Sequence, residues 1–393
     1  MYKQIYLKRG KEESLKRFHP WIFSGAIHHA DEGIEEGEIV RVITSEGHFI
    51  AVGHYQIGSI AVRVLSFNDI VIDDKFWHDR LQEALNMRLA IGIADNPHND
   101  TYRLVHGEGD HLPGLVVDCY GETAVMQAHS VGMHVCRQAI VKALIDVMGN
   151  RIKNVYYKSE TTLPYKAELG QADGFIYGGS DNNICIENGL KFHVDWLKGQ
   201  KTGFFVDQRD NRSLVERYSH GRSVLNMFCY TGGFSVYALR GGAELVHSVD
   251  SSAKAIELTN ANVALNFTDE KRHEAFCEDA FKYLDEHDRL YDLIILDPPA
   301  FAKHRGALHN ALKGYTRLNL KGLERIKPGG IMFTFSCSQV VTKDNFRNAV
   351  FTAAAQAGRR VRILHQLHQP ADHPINIYHP EGEYLKGLVL YVE

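Results

Sequence analysis

Apolar and polar positions change rhythm twice along this chain. Over the first seventy or so residues, "EGEIVRVITSEGHFIAVGHY" and "GSIAVRVLSF" alternate apolar with polar positions and are broken at Gly47, Gly53 and Gly58, which predicts short strands with turns between them. From residue 71 to about 183 the pattern is mixed. "DDKFWHDRLQEALNMRLAIG" places Trp77, Leu81, Leu85 and Leu89 at steps of four, the spacing of an amphipathic helix. "TYRLVHGEGDHLPGLVVDCYGETAVMQAH" reads as strands joined by turns, and "HVCRQAIVKALIDVMG" as a helix ended by Gly149. Arg103, His106 and Asp110 read here as turn and surface groups. "ICIENGLKFHVD" then signals a hairpin with Asn188-Gly189 in its turn. From about residue 222, apolar runs alternate with helical patterns: "SVLNMF", "ELVHSVD", "HEAFCED", "YDLIILDPP", "GIMFTFSC", "RVRILHQL" and "GLVLYVE". That alternation predicts an α/β fold with a mostly parallel, doubly wound sheet. Three regions result: 1–70, 71–183 and 184–393.

Composition narrows the chemistry. The 393 residues are 44% hydrophobic and 23% charged, enough for full cores without disulfide or metal staples. A net charge of −4 provides no global attraction for a polyanion. Nucleic-acid affinity would need a local patch, such as Lys3, Lys8, Arg9, Lys11, Lys16 and Arg17, which fits the basic rim of a small β-barrel or an ordinary solvated face. The six cysteines form no CxxC pair, which argues against zinc knuckles and a secreted disulfide framework. The 22 histidines show no HExxH, and none is assigned to a metal. No apolar run reaches membrane-spanning length, so a cytoplasmic location is expected.

In a doubly wound sheet, ligands sit at the carboxyl ends of the strands. After the first run comes "FCYTGGFS", whose Gly232 and Gly233 would let backbone approach a ligand, without the GxGxxG spacing that a dinucleotide needs. The second run ends at Asp250, placed to accept from ribose hydroxyls, or else to cap the helix of "SSAKAIEL". The third ends at Asp279, placed to accept from an adenine amino group with Ala280 and Phe281 beside the ring, or to cap "AFKYL". Together these favour an adenosine without pyrophosphate. The fourth run ends in "DPPAF" and the fifth in "FSCSQ", with Cys337 between two serines.

These residues resemble a class I S-adenosylmethionine-dependent methyltransferase. "HPWIFSGAI", "QKTGFFVDQRDNR", "FCYTGGFS", "DPPAF" and "FSCS" follow the order seen in bacterial 23S rRNA cytosine-5 methyltransferases with an N-terminal PUA domain, and the likeness covers nearly the whole chain. The resemblance implies a PUA-like RNA-binding domain over 1–70, a middle α/β domain over 71–183 and a Rossmann-like methyltransferase domain over 184–393. It implies S-adenosyl-L-methionine as cofactor and RNA as partner, either 23S rRNA or an assembly intermediate, and it suggests a homodimer. Thr202, Phe204, Gln208 and Arg209 are carried over as cofactor contacts. They join Phe228, Tyr230, Thr231, Gly232, Asp250, Ser251, Asp279, Ala280 and Asp297.

Carbon 5 of cytosine is a poor nucleophile, and a thiolate adding to carbon 6 makes it enamine-like, so covalent catalysis needs a cysteine at a strand end. Cys337 fits that position, and in the family the cysteine of "SCS" attacks. An inert buried thiol is the alternative. Ser336 and Ser338 could donate hydrogen bonds to the thiolate, but no activating group is identifiable. Asp297 is placed to contact the base, with Pro298, Phe301, Lys303 and Arg305 as further substrate contacts, Phe301 by stacking. Other readings stay open. Amino-directed methyltransferases use an Asp/Asn-Pro-Pro-aromatic motif without a thiol, although here Ala300 precedes the aromatic. Methylation of a guanine ring nitrogen is another possibility on a related sheet. Outside the class stand an RNA-binding module and a nicotinamide oxidoreductase, the latter opposed by the missing GxGxxG.

Overall fold

A computed structural model of the chain describes residues 2–164, 172–180, 182–302 and 304–393. The chain divides into two compact units. The first comprises residues 1–189, 194–206 and 371–382; the second comprises 190–193, 207–370 and 383–393.

The first unit holds two sheets. The alternating N-terminal segments form a six-stranded sheet in the order Trp21–Phe23, Ile60–Ser66, Phe49–Tyr55, Ile39–Ile43, Lys3–Leu7, Ile27–Ala30. Its edge strands are consecutive in the chain and joined only by Ser24–Ala26. Laid flat, six strands at about 4.8 Å spacing would separate those edges by about 24 Å, beyond the reach of three residues, so the sheet has to curl towards the expected barrel. Ile5, Val40, Val42, Ala51 and Val62 fill its interior. The basic patch is partly neutralised: Lys3 pairs with Glu38 at 3.0 Å and Lys16 with Glu13 at 2.8 Å. Lys8 and Arg9 line a recess of about 460 Å³ with Tyr6, His28 and His29.

The second sheet runs Gly174–Tyr177, Asn154–Tyr157, Thr123–Ala128, Leu115–Tyr120, Thr101–His106. Helices Asp74–Ala90 and Arg137–Met148 contribute to the same core, with Trp77, Leu81 and Leu85 buried in it. Leu89, in the last helical turn, is exposed. Arg103, His106 and Asp110 are not the surface groups expected from sequence. Arg88, wholly buried, forms a bidentate pair with Asp110 and donates to the carbonyls of Arg103 and Asp372, both at 2.8 Å. Arg103 in turn clamps Asp118 at 2.7 and 2.8 Å and contacts His106 Nδ1 at 3.1 Å. Charges taken out of water this completely need partners, and the bidentate geometry supplies them.

The expected hairpin forms from Ile184–Glu187 and Leu190–His193. Its turn residues Asn188 (φ 49°) and Gly189 (φ 80°) both take the left-handed region that a tight hairpin demands.

The second unit is built on a seven-stranded sheet. Its strands are β1 (Ser223–Met227), β2 (Leu245–Asp250), β3 (His273–Cys277), β4 (Tyr291–Leu296), β5 (Ile326–Ser336), β6 (Val361–Leu367) and β7 (Lys386–Val392). The helices are α1 (Arg209–Tyr218), α2 (Gly233–Arg240), α3 (Ala253–Asn266), α4 (Ala280–Glu286), α5 (Leu308–Arg325) and α6 (Lys343–Gln356). The strand order is β3-β2-β1-β4-β5-β7-β6, parallel except for β7, which pairs antiparallel with both β5 and β6. β1 and β4 are central and almost entirely buried, as suits their mostly apolar sequences. The order reverses between β1 and β4, so the loops after them diverge and leave a crevice at the carboxyl edge. No helix among the described residues is long and apolar enough to cross a membrane.

Candidate active site

The loop after β1 is bent by backbone rather than by side chains. Phe228, Tyr230 and Gly232 have φ of 58°, 48° and 75°. Asp250, at the end of β2, holds this loop: its Oδ2 accepts from Tyr230 N at 3.0 Å and its Oδ1 from Ser252 N at 2.9 Å. Helix α3 holds it from the other side, with Thr259 donating to Tyr230 O at 2.9 Å and Asn262 to Thr231 O at 2.8 Å. Asn262 is fully buried and also accepts from His193 N at 2.7 Å, so one side chain ties together the loop, α3 and the segment 190–193.

Packing also constrains this loop. A Cβ on Gly232 would lie 2.7 Å from Thr259 Cγ2, and one on Gly233 would lie 3.0 Å from Arg212 Cδ. Of the two roles open to Asp250, the cap of α3 falls to Ser252 instead, which accepts from Ala255 N. Asp279 is the cap of α4, its Oδ1 accepting from Phe281 N at 2.9 Å and Lys282 N at 3.1 Å. Ala280 is buried, and Phe281 has the Arg317 guanidinium 4.6 Å from its ring centroid. Ser251 is exposed beside Asp250, and Thr231 is buried.

Asp297 follows β4. Its Oδ2 accepts from Gln208 Nε2 at 3.1 Å, and Asn211 donates to Gln208 Oε1 at 2.6 Å, fixing the orientation of that amide. Gln208, carried over from the resemblance, and Asp297, read from the end of the fourth run, are thus brought together. Arg209 is buried at the start of α1. Thr202 and Phe204 belong to the first unit, where both are buried. Thr202 donates to Asp118 at 2.6 Å and shares a bond with Tyr120 at 2.9 Å, which attaches it to the Arg103–Asp118 pair. Pro298 is buried and Phe301 half-buried, its ring 4.6 Å from that of Tyr315. Arg305 is exposed, and Lys303 lies outside the described residues.

Cys337, just past β5, is half-buried, whereas Ser336 and Ser338 on either side are buried. These serines do not turn to the thiol. Ser336 donates to Tyr315 Oη at 2.9 Å, Ser338 Oγ lies 3.1 Å from the same phenol, and Ala302 N donates to Ser338 at 3.3 Å. They clamp the strand end against α5 and the "DPPAF" loop. Tyr315 had no sequence signal, because its role exists only once α5 packs across the strand ends. Burial pushes its phenol above the usual range, so it stays neutral. Lys386, the first residue of β7, was likewise not singled out; its Nζ donates to Ser338 O at 2.7 Å.

The donor set can be tested against S-adenosylmethionine. Acceptors end three strands on either side of β1: Asp279 after β3, Asp250 at β2 and Asp297 after β4. Ribose hydroxyls, the adenine amino group and the methionine ammonium are all donors. Each Asp250 oxygen takes one main-chain N–H, which leaves it a second lone pair for a ribose hydroxyl. The residues fit this cofactor.

Comparison with known proteins agrees. The profile of S-adenosylmethionine-dependent methyltransferases matches residues 175–379, and that of the PUA-like domain residues 5–67. A ribosomal RNA large subunit methyltransferase I of Tolumonas auensis is 41% identical over 394 residues, covering 98% of each chain. One from Klebsiella pneumoniae is 38% identical over 400 residues, covering 100% of this chain and 99% of its own. In fold, the chain is similar to an S-adenosylmethionine-dependent methyltransferase from Streptococcus mutans, with a TM-score of 0.85, 23% identity and 99% coverage of both chains. A methyltransferase structure matching with the same scores was solved with S-adenosylhomocysteine bound. With its carboxylate-tipped strands, its β3-β2-β1-β4-β5-β7-β6 order and relatives matched end to end, the chain belongs to the S-adenosylmethionine-dependent methyltransferases and carries a PUA-like domain near its N-terminus.

Proposed function

We propose that this protein methylates carbon 5 of a cytosine in 23S rRNA, free or within an assembly intermediate, in the cytoplasm, with Cys337 as the attacking thiolate. The observation that carries this reading is the position of Cys337. It is half-buried at the carboxyl end of β5, between two buried serines whose hydroxyls are engaged elsewhere. A structural thiol would sit in the core with them. The relatives named as large-subunit rRNA methyltransferases support the choice of RNA.

When bound, S-adenosylmethionine supplies an electrophilic methyl group on sulfur. The chain's residues do the rest. Asp250 and Asp279 accept from the adenosine end, while Gln208 holds Asp297 at the crevice. The Cys337 sulfur bonds to carbon 6, and the π electrons of the 5,6 double bond shift so that carbon 5 can take the methyl group. Loss of the carbon 5 proton to a base and expulsion of the thiolate restore the aromatic ring. The cytosine must be unpaired or flipped to reach this crevice. Lys8 and Arg9 in the recess of the first sheet, with Arg305 beside "DPPAF", are the proposed phosphate contacts.

Incubation with S-adenosylmethionine and rRNA containing 5-fluorocytosine tests this reading, because fluorine at carbon 5 cannot leave as a proton. A stable protein–RNA adduct mapping to Cys337 is expected. Absence of the adduct, with methyl transfer intact in Cys337→Ala, would refute carbon 5 chemistry and point to an exocyclic or ring nitrogen.

A further inference from the structure

A free thiol has a pKa of about 8.5 and is mostly protonated at neutral pH, so attack by Cys337 needs a neighbour that favours the anion. Ser336 cannot supply it while donating to Tyr315, and a neutral hydroxyl at Ser338 brings no charge to set against the anion. The fold brings a cation instead. Antiparallel pairing of β5 with β7 sets Lys386 directly opposite Ser336, and the Lys386 ammonium donates to Ser338 O, on the residue that follows Cys337, at 2.7 Å. The Lys386 backbone thus pairs with the residue before Cys337 while its ammonium is fixed on the residue after it, close enough for the two groups' charges to act on each other. Lys386 is only 5% exposed, and the acceptor just described is a neutral carbonyl. Withdrawing an ammonium from water towards a neutral carbonyl leaves its charge poorly compensated, whereas an adjacent thiolate would balance it.

We propose that Lys386 is a positioning residue whose ammonium, fixed on the Ser338 carbonyl, holds Cys337 as the thiolate for attack on the pyrimidine. The proposal rests on the reading of Cys337 as nucleophile. The thiol proton passes to solvent, and the ammonium keeps its own protons. Burial pushes the Lys386 pKa down to about 8, so the group is still charged at neutral pH. The other charges acting on it are Glu383, which favours the ammonium, and Lys343, which opposes it. These two pair with each other at 2.5 Å, so their effects largely offset. From α5 the facing group is Tyr315, neutral at this pH.

The test is the pH profile of Cys337 alkylation by iodoacetamide in the full chain, read by peptide mass spectrometry without cofactor or RNA. Cys277, which is exposed, serves as an internal reference. In the wild type, the Cys337 inflection is expected clearly below the ordinary thiol value of about 8.5. Lys386→Met should raise it by about one unit, slowing modification at pH 7 about tenfold. Lys386→Arg should restore most of the rate, and Cys277 should not change in either variant. A wild-type inflection at or above about 8.5 overturns the proposal even if the methionine variant fails to fold. So does a folded Lys386→Met with an unchanged profile. Adduct trapping separates the two readings: a low inflection without a 5-fluorocytosine adduct sinks the nucleophile and spares the ion pair, whereas an adduct with an ordinary inflection does the reverse.

Discussion

Replacing Gly232 with alanine tests whether packing or ligand access dictates this glycine. At φ 75°, a side chain sits in the left-handed region, at a cost of about 1–2 kcal/mol. The new methyl group also meets Thr259, 2.7 Å from Cγ2 and 3.2 Å from Cα and Cβ. Overpacking of this kind costs about 1–3 kcal/mol. Together these effects should destabilise the β1–α2–α3 region by about 2–5 kcal/mol. Thr259→Ser in the same chain deletes Cγ2 but keeps the hydroxyl that donates to Tyr230 O. It should recover about 1–2 kcal/mol and leave the backbone strain behind, a coupling that a double-mutant cycle isolates. Tryptophan fluorescence cannot follow this, because Trp21, Trp77 and Trp196 all lie in the first unit. Hydrogen exchange of peptides from α2 and α3 under increasing urea is the suitable assay. A loss below about 0.5 kcal/mol would refute the packing argument, since that is the scale of an ordinary surface change. If stability were kept but S-adenosylmethionine binding fell more than tenfold, the glycine would be there for the ligand after all.

Two further outcomes concern the first unit, where tryptophan fluorescence does report. Arg88→Met strands Asp110 in the interior and should cost about 3–5 kcal/mol in urea unfolding, with Asp110→Asn recovering part of the loss; an additive double mutant would argue against the pair. Burial, with Arg63 close by, pushes His54 down to about 4, and burial with Arg103 and Arg63 does the same for His129. Between about pH 6.5 and 4 the unfolded chain binds protons that the folded chain does not. Stability should therefore fall with pH across that window, by on the order of 2 kcal/mol per histidine at pH 5. His54→Gln should flatten the profile by one histidine's share, visible in the emission of Trp77, which stacks on His54 with centroids 6.2 Å apart. An unchanged slope would refute the assignment.

What the chain determined alone was local. Apolar runs alternating with helical patterns announced buried parallel strands, and the residues ending these runs, Asp250, Asp279, Asp297 and Cys337, could be named because a strand delivers its last side chain to the carboxyl edge. The Asn188-Gly189 turn and the Gly149 helix end were equally legible, since backbone conformation is written in the residue itself. Tertiary structure decided the partnerships. Lys386 gave no signal in the sequence, and only insertion of β7 beside β5 sets it opposite Ser336 with its ammonium on Ser338 O. Tyr315 gave no signal until α5 crossed the strand ends, and the crowding of Gly232 depends on Thr259 of α3. Arg103 and Asp110 read as surface groups because a charge near turn residues usually is one, and nothing within a few residues of them foretold that Arg88 and Asp118 would bury them. Periodicity and turn chemistry act over a few residues. Contacts between distant segments are set by which elements pack together, and that is what brings the Lys386 ammonium to the residue beside Cys337.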